Sequence, residues 1–360
     1  MINIEMEDSL ESASSKDLIR FLSQELVSMT NEQASELLYE YYDIKGDCTC
    51  LSSEKDLNFY VSSSDGIQFI LKISHPAESY LITNFQTEAL LHIHNKEPYL
   101  PVPKLYISKN GVYEEIIEII PGKKQVMRLL SFMKGESLAR VRLTECLLDN
   151  FGSCLAKLNN ALADFEHPIA KQHKLLWDLK HASSLKKILK YIDESEKYKV
   201  LEKVLNDFEL FVEPSISSLT FQVIHNDLNP QNILVDSHTK SEISGIFDFG
   251  DMVYTPAIVE VAVASAYILS DSNDSLSNVI KFLKAYSLKK KISTLELELL
   301  YDLISTRLAM IILISNWRAK LYPDNSEYLL RNHENSWNRL KALLSIQRED
   351  GIQRFKESIT

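Results

Sequence analysis

The stretch from Gln222 to Met252 constrains the fold and the chemistry of this 360-residue chain more than any other. An apolar pair leads into His225-Asn226-Asp227, and Asn232 stands just before a second apolar segment. A polar turn and a third apolar segment then lead to Asp248-Phe249-Gly250. This alternation predicts strand, loop, strand, turn, strand and loop. Such an arrangement brings the polar side chains together on one side of a cleft.

These polar residues are of the types that phosphoryl transfer requires. One carboxylate orients the attacking hydroxyl or accepts its proton, while a carboxamide and a second carboxylate hold the magnesium ion that bridges the phosphates. The competing interpretation is a buried hairpin in which the Asp and Asn side chains only cap turns. The presence of both halves in order, each beside an apolar segment, favours the catalytic interpretation.

The group His225-x-Asp227 with Asn232, followed by Asp248-Phe249-Gly250, resembles the catalytic core of the aminoglycoside phosphotransferase and choline kinase superfamily. This superfamily is a branch of the protein-kinase-like fold. Three further segments resemble its hydroxylysine kinase-like branch: LSSEKDLNF at 51–59, WDLKH at 177–181 and FDFGDM at 247–252. The resemblance implies an α+β, bilobal fold with a small antiparallel-sheet N-lobe and a larger, mainly helical C-lobe.

The same resemblance divides the chain into three parts. Residues 1–45 form an N-terminal helical leader, residues 46–131 the N-lobe, and residues 132–360 the C-lobe. Within the leader, the apolar spacing predicts helices at Asp17–Met29 and Ala34–Tyr42. Farther along, the pattern predicts helices at 83–94, 143–162, 186–211, 253–269, 276–288, 295–322 and 327–346.

Lys72 interrupts an otherwise apolar strand, Gln68–Ile73, and a charge placed there needs a partner. The resemblance assigns it to the α- and β-phosphates of the nucleotide. Its expected partner is Glu88 on the following helix. The alternative is a lysine at a strand edge with its ammonium group in water.

Two further segments are expected to contact the nucleotide. Ser52 and Ser53 occupy the loop that covers the phosphates in related kinases, where glycines are usual, and they can still donate to phosphate. A plain hairpin turn is the alternative. Ser131 and Met133 lie in the segment that joins the lobes and would contact an adenine or guanine base.

The resemblance also assigns roles in catalysis. Asp227 is the carboxylate that orients the acceptor hydroxyl and takes its proton, and His225 braces the loop through hydrogen bonds. Asn232 and Asp248 are the expected ligands of Mg²⁺. ATP or GTP is the expected phosphoryl donor.

Three carboxylates are candidates for binding the acceptor. Asp178 would bind a substrate ammonium group or cap the following helix, and the cap is favoured slightly. Asp251 directly follows the loop Asp248-Phe249-Gly250 and would support that loop or contact the substrate. Glu260 lies within an apolar helix and would pair with a cationic substrate or, more safely, form a structural ion pair.

Composition excludes several classes of protein. The net charge of −11 argues against a nucleic-acid partner, which usually meets a basic surface. The longest apolar stretch, Ala257–Leu269, is too short to cross a bilayer and contains Glu260. The acidic segment Met1–Lys16 lacks the pattern of a signal peptide, and together with four cysteines this predicts a cytoplasmic protein.

The resemblance therefore implies a small-molecule kinase that transfers the γ-phosphoryl group of ATP or GTP to a hydroxyl of an amine-bearing substrate. The leading acceptor is 5-hydroxylysine, and an aminoglycoside, homoserine, choline or ethanolamine remains open. A protein-kinase-like effector or a non-catalytic nucleotide-binding scaffold is the alternative from another class. Oligomeric state and the choice between ATP and GTP cannot be derived from these residues.

Overall fold

A computed structural model describes residues 28–53, 55–270 and 274–359. The predicted helix at Asp17–Met29 lies outside these residues except for Ser28 and Met29, which are not helical. The first described helix, α1, spans Asn31–Tyr42. Thr30 and Gln33 form a reciprocal capping box at its start, which satisfies backbone donors that the first turn leaves free.

An antiparallel sheet follows α1. Its strands are β1 (Gly46–Leu51), β2 (Leu57–Ser63), β3 (Gln68–Ile73), β4 (Leu105–Tyr106), β5 (Glu115–Ile120) and β6 (Lys123–Ser131). The strand order is β1-β2-β3-β6-β4, and β5 also pairs with β6. Helix α2 (Tyr80–Lys96) connects β3 to β4. The predicted strand Gln68–Ile73 is present with the same ends, and the helix predicted at 83–94 is present and longer at both ends.

The sheet has two different faces. Phe69, Leu71 and Ile73 alternate along β3 and are buried with Leu38 of α1 in one apolar cluster. Lys72 points to the opposite face, because successive side chains of a strand alternate. Helix α1 therefore packs on one face of the sheet, and the opposite face carries the lysine.

The remainder is mainly helical, with two small antiparallel sheets. The helices are α3 (Glu145–Ala161), α4 (Ser195–Asp207), α5 (Ile258–Ile268), α6 (Ser277–Ser287), α7 (Thr294–Leu321), α8 (Ser326–Leu330), α9 (His333–Leu344) and α10 (Arg348–Ser358). The strands are β7 (Glu136–Ser137), β8 (Phe221–Ile224), β9 (Ile233–Val235), β10 (Ile243–Ile246) and β11 (Val253–Pro256). They form the sheets β10-β9-β7 and β11-β8. The predicted α+β class, with an antiparallel sheet first and helices after, is confirmed.

Some predicted helices have different boundaries. The segment 186–211 is divided between a 3₁₀ helix at Leu179–Tyr191, α4, and a π-helical turn at Phe208–Val212. The segment 253–269 begins as β11, because Val253–Pro256 pairs antiparallel with β8. Helix α10 was not predicted. No helix among the described residues is both long and apolar enough to cross a membrane.

Helix α7 lies at the centre of the helical part. Nearly all of its residues from Leu297 to Ser315 are buried, and neighbouring helices pack around it. Because this helix is buried on all sides, every one of its faces meets the protein interior, and a side chain at any position can contact another part of the protein. One of these side chains, that of Arg307, reaches the candidate active site.

Candidate active site

The loop between β8 and β9 carries the predicted catalytic residues, and His225 braces it. The His225 Nε2–H donates to the Phe247 carbonyl oxygen at 3.0 Å, while Nδ1 accepts from the Asp227 backbone N–H at 3.2 Å. The ring also lies edge-on to Phe249, with ring centroids 4.6 Å apart. Burial lowers the pKa of His225, which agrees with a neutral ring that donates through one nitrogen and accepts through the other.

Two amide side chains hold the Asp227 carboxylate. Its Oδ2 accepts from Asn232 Nδ2 at 2.8 Å and from Asn229 Nδ2 at 2.9 Å. The same Asn232 nitrogen also donates to the Asp227 backbone oxygen at 3.0 Å. The Asp227 side chain is 23% exposed, so it is oriented by its neighbours and still accessible to an acceptor.

Glu260 holds the backbone of this loop, and both predicted roles, a pair with a cationic substrate and a structural ion pair, are wrong. The side chain is fully buried on α5, and its carboxylate accepts the backbone N–H of His225 at 2.5 Å and of Asn226 at 3.1 Å. Burial raises the pKa of Glu260 to about 7, although these N–H groups act in the opposite direction. Its partners are backbone donors of the catalytic loop rather than a substrate ammonium group or a basic side chain.

Asp248 and Asn232 offer oxygen atoms of the kind that Mg²⁺ prefers. Asp248 has a left-handed backbone with φ of 64°, and its side chain is 52% exposed. Because Asn232 uses its amide nitrogen on Asp227, its carbonyl oxygen is left for a cation. The described residues contain no cluster of three or more His, Cys, Asp or Glu side chains suited to a metal. The donor set therefore fits an ion whose remaining ligands come from phosphates and water.

Lys72 pairs with Asp56, and the predicted pair with Glu88 is wrong. Lys72 Nζ lies 3.1 Å from Asp56 Oδ2 and 3.9 Å from Asp248 Oδ1. Burial is the largest single influence and opposes the charge of both partners. Their mutual attraction and hydrogen bond, together with the other charges nearby, outweigh burial, so the pKa of Lys72 is raised and the pKa of Asp56 is lowered. The His75 backbone N–H donates to Asp56 Oδ1 at 3.1 Å and fixes that carboxylate.

The rotation of α2 explains why Glu88 does not reach Lys72. The helix turns Thr83, Gln86 and Thr87 towards the sheet, where all three accept hydrogen bonds from Arg128. Arg128 is the cross-strand neighbour of Lys72. Glu88 is exposed, about 100° around the helix from Thr87. A buried arginine thus occupies the space in which a helix carboxylate was expected.

The two predicted nucleotide-binding segments have different surroundings. Ser52 and Ser53 are exposed and line a surface pocket together with Lys55 and Asp56. The Ser131 N–H donates to the Lys104 carbonyl oxygen at 2.8 Å, so it is not available to a base. The Ser131 hydroxyl accepts from the Lys104 N–H at 2.9 Å. Base contacts by Met133 stay a prediction.

Asp178 is a helix cap, and its predicted contact with a substrate is wrong. It is fully buried and accepts from the Lys180 backbone N–H at the start of the 3₁₀ helix. Its carboxylate also pairs with Lys180 Nζ at 2.6 Å and accepts from the Thr255 hydroxyl at 2.9 Å. The carboxylate is therefore engaged by Lys180 and Thr255 and has a structural role.

Asp251 lies close enough to the catalytic residues to interact with their charges. Burial, followed by repulsion from Asp227 and Asp248, raises the pKa of Asp251 to about 7. Lys55 and Arg307 act in the opposite direction. Its role as a substrate contact stays a prediction.

The sequence analysis missed Arg307. Its side chain is 2% exposed, and one terminal nitrogen lies 3.5 Å from Asp227 Oδ1. The guanidinium carbon lies 5.0 Å from the centre of the Trp177 ring. The only local signal was a basic residue within an apolar helix, and nothing in the spacing connects it to a loop 80 residues earlier.

A model of the phosphotransferase enzyme family matches residues 49–286 of this chain. Hydroxylysine kinase of Xenopus laevis is 27% identical over 351 residues, which cover 92% of this chain and 94% of that protein. Hydroxylysine kinase of Mus musculus is 26% identical and covers 88% and 90% of the two chains.

Solved structures share the fold at low sequence identity. A microcompartment-associated aminopropanol kinase superposes with a TM-score of 0.69 at 15% identity, and the match covers 89% of this chain and 99% of that one. An amicoumacin kinase in complex with AMP-PNP superposes with a TM-score of 0.63 at 16% identity and covers 89% and 95%. The predicted bilobal, kinase-like fold is confirmed.

Proposed function

We propose that this chain, which belongs to the phosphotransferase enzyme family, transfers the γ-phosphoryl group of ATP or GTP to the hydroxyl group of 5-hydroxylysine. The observation that carries the choice of acceptor is the match of hydroxylysine kinases over almost the whole of both chains. Family membership makes the chain an enzyme that phosphorylates a hydroxyl group. It leaves the acceptor open, because one fold serves many substrates.

Asp227 is the residue that receives the acceptor. Its carboxylate accepts a hydrogen bond from the substrate hydroxyl and takes the proton late, when the bond to phosphorus is forming. Asn229 and Asn232 hold one of its oxygens, so the carboxylate does not have to reorient during the reaction. Most of the acceleration then comes from positioning and fixed charges.

Lys72 neutralises the α- and β-phosphates, and Asp56 orients its ammonium group. Asn232 and Asp248 would hold Mg²⁺ through their side-chain oxygens. When bound, that ion supplies positive charge that offsets the phosphate oxygens. The Glu260 carboxylate contributes indirectly, because it anchors the backbone of the loop that carries Asp227.

The alternative acceptors are an aminoglycoside, homoserine, choline and ethanolamine. A protein-kinase-like effector is less well supported, because Asp248 is separated from α5 by little more than a 3₁₀ turn at Phe249–Asp251 and the strand β11. That distance leaves little room for a long activation segment. A non-catalytic scaffold would not need Lys72, Asp227, Asn232 and Asp248 together.

The test is Mg²⁺-dependent nucleotide consumption, with ATP and GTP in parallel, against 5-hydroxylysine, homoserine, choline, ethanolamine and kanamycin. An Asp227→Asn variant is the blank. Turnover of 5-hydroxylysine that disappears in the blank supports the proposal. Turnover of another amine, with none of 5-hydroxylysine, would show that the acceptor is that amine and that the proposed phosphoryl transfer is correct. Nucleotide binding without turnover of any of them would contradict the proposal.

A further inference from the structure

The position of Arg307 puts a permanent positive charge next to the residue that receives the acceptor. Helix α7 carries Arg307 into the site, where one terminal nitrogen lies 3.5 Å from Asp227 Oδ1 and the other lies 3.5 Å from the Trp177 carbonyl oxygen. The guanidinium carbon lies over the Trp177 ring, 5.0 Å from its centre. Any acceptor whose hydroxyl meets Asp227 therefore extends into the neighbourhood of this guanidinium group.

The hydrogen-bonding capacity of Arg307 is only weakly used by the protein. A guanidinium group has five N–H donors. Both contacts above are at the long limit for a hydrogen bond, and Nε, although buried, has no hydrogen-bond partner among the described residues. The Tyr267 hydroxyl is close enough to accept a further hydrogen bond from Arg307, which leaves other donors of the five unused. Because unsatisfied buried donors cost free energy, a ligand oxygen that reaches them would be bound favourably.

The charges of the site also separate the candidate acceptors. Choline, ethanolamine and aminoglycosides bring only positive charge, and Arg307 would repel any part of them that lies close to it. A zwitterion fits better, because its carboxylate can meet Arg307 while an ammonium group meets the carboxylates nearby. Asp251 is close enough to both Asp227 and Arg307 to interact with their charges, so both signs are present in one site.

We propose that Arg307 is a specificity residue that binds the carboxylate of a hydroxylated amino acid, with Trp177 holding the guanidinium plane in place. This inference rests on the proposed function and makes it narrower. It assigns the acceptor to the carboxylate-bearing class, which includes 5-hydroxylysine and homoserine and excludes the simple amino alcohols. A planar guanidinium can bind a carboxylate through two parallel hydrogen bonds, which a lysine ammonium cannot reproduce.

The test compares acceptors that differ only by the carboxylate. One pair is 5-hydroxy-L-lysine and 1,5-diaminopentan-2-ol, and the other is L-homoserine and 3-aminopropan-1-ol. Steady-state kinetics are measured for the full chain and for Arg307→Met and Arg307→Lys. We expect the unmodified protein to prefer the acid by about ten- to hundredfold in kcat/KM, the usual contribution of a charged hydrogen bond.

In Arg307→Met, the preference for the acid should disappear, mainly through a higher KM for the acid. Arg307→Lys should retain part of it. Arg318→Met is the matched control, because it removes another buried arginine from α7 about 16 Å along the helix axis and should keep the preference. If Arg307→Met does not fold, as judged by circular dichroism, the inference is tested by comparing the preference for the acid between the unmodified protein and Arg307→Lys.

Two results would overturn the inference. One is equal use of the acid and the amino alcohol by the unmodified protein. The other is a fall in kcat of the same size for both members of a pair, with KM unchanged, which would make Arg307 a positioning residue for Asp227. If none of the four acceptors is phosphorylated, the proposed function fails by itself. The inference is then decided by thermal shifts with L-lysine and cadaverine: a larger shift with lysine, lost in Arg307→Met, supports it, and equal shifts overturn it.

Discussion

The Nζ atom of Lys72 lies 3.1 Å from Oδ2 of Asp56, and both side chains are largely buried. Asp56 stands at the end of the loop between β1 and β2, in the same loop as the serines that are expected to cover the phosphates. The loop and the lysine are therefore joined by an ion pair at the site where nucleotide would bind. The exposed Glu88 takes no part in this pair.

Asp56→Asn should weaken nucleotide binding, because Lys72 would lose the charge that orients it. We expect the KM for ATP to rise by about tenfold or more, within the range for breaking a buried ion pair. Glu88→Gln is the control and should change the KM by less than about twofold, since exposed charges contribute little. The measurement is ATP titration at saturating acceptor. Equal effects of the two variants would contradict the assignment.

Asp227→Asn should abolish transfer and leave nucleotide binding intact. The amide keeps the size of the side chain but cannot take a proton, so kcat should fall by about a hundredfold or more. The Kd for a non-hydrolysable ATP analogue should change little. Calorimetric titration with that analogue, together with the kinetic assay, checks both parts. Retained turnover would show that another group accepts the proton.

Glu260→Gln should destabilise the catalytic loop. Glutamine has one acceptor oxygen, so the Asn226 N–H would keep at best its longer contact of 3.3 Å and would face an amide donor in place of the nearer oxygen. We expect the free energy of unfolding to fall by about 1–3 kcal/mol, the cost of an unsatisfied buried donor. Denaturant unfolding measures this loss. An unchanged free energy of unfolding would mean that the contacts with Glu260 can be replaced by water.

The raised pKa of Asp251 should make the stability of the protein depend on pH. Its pKa in the folded protein, about 7, is above its ordinary value of 3.8, so the folded state binds the proton more tightly. The stabilising contribution of this group is therefore complete below about pH 4 and is lost as the pH rises through about 7. The facing charges are Asp227, Asp248, Lys55 and Arg307.

The measurement is the free energy of unfolding of Asp251→Asn minus that of the unmodified protein, without Mg²⁺ or nucleotide. We expect this difference to increase between about pH 5 and pH 8, by an amount on the order of 3 kcal/mol, and to stay constant above about pH 8. A difference that does not vary with pH would show that Asp251 is ionised throughout this range.

Local patterns in the sequence predicted the elements that carry the site. Short apolar runs bounded by polar loops predicted the strands before and after His225-x-Asp227, because such runs are typical of buried strands. The spacing of Asp227 and Asn232 also predicted their association, since both belong to one loop. Segment 253–256 was assigned to a helix, because its pairing with β8 depends on a strand about thirty residues earlier.

The sequence by itself determined the fold class, the family and the order of the catalytic groups, because these depend on short segments whose periods and spacings are set locally. Only the tertiary structure decided which charges meet. The rotation of α2 places Glu88 in solvent, and Lys72 forms its ion pair with Asp56 instead. The packing of α5 and α7 brought Glu260 and Arg307 to a loop that precedes them by many residues. Such contacts depend on how helices rotate and pack as whole bodies, and no local spacing encodes that rotation.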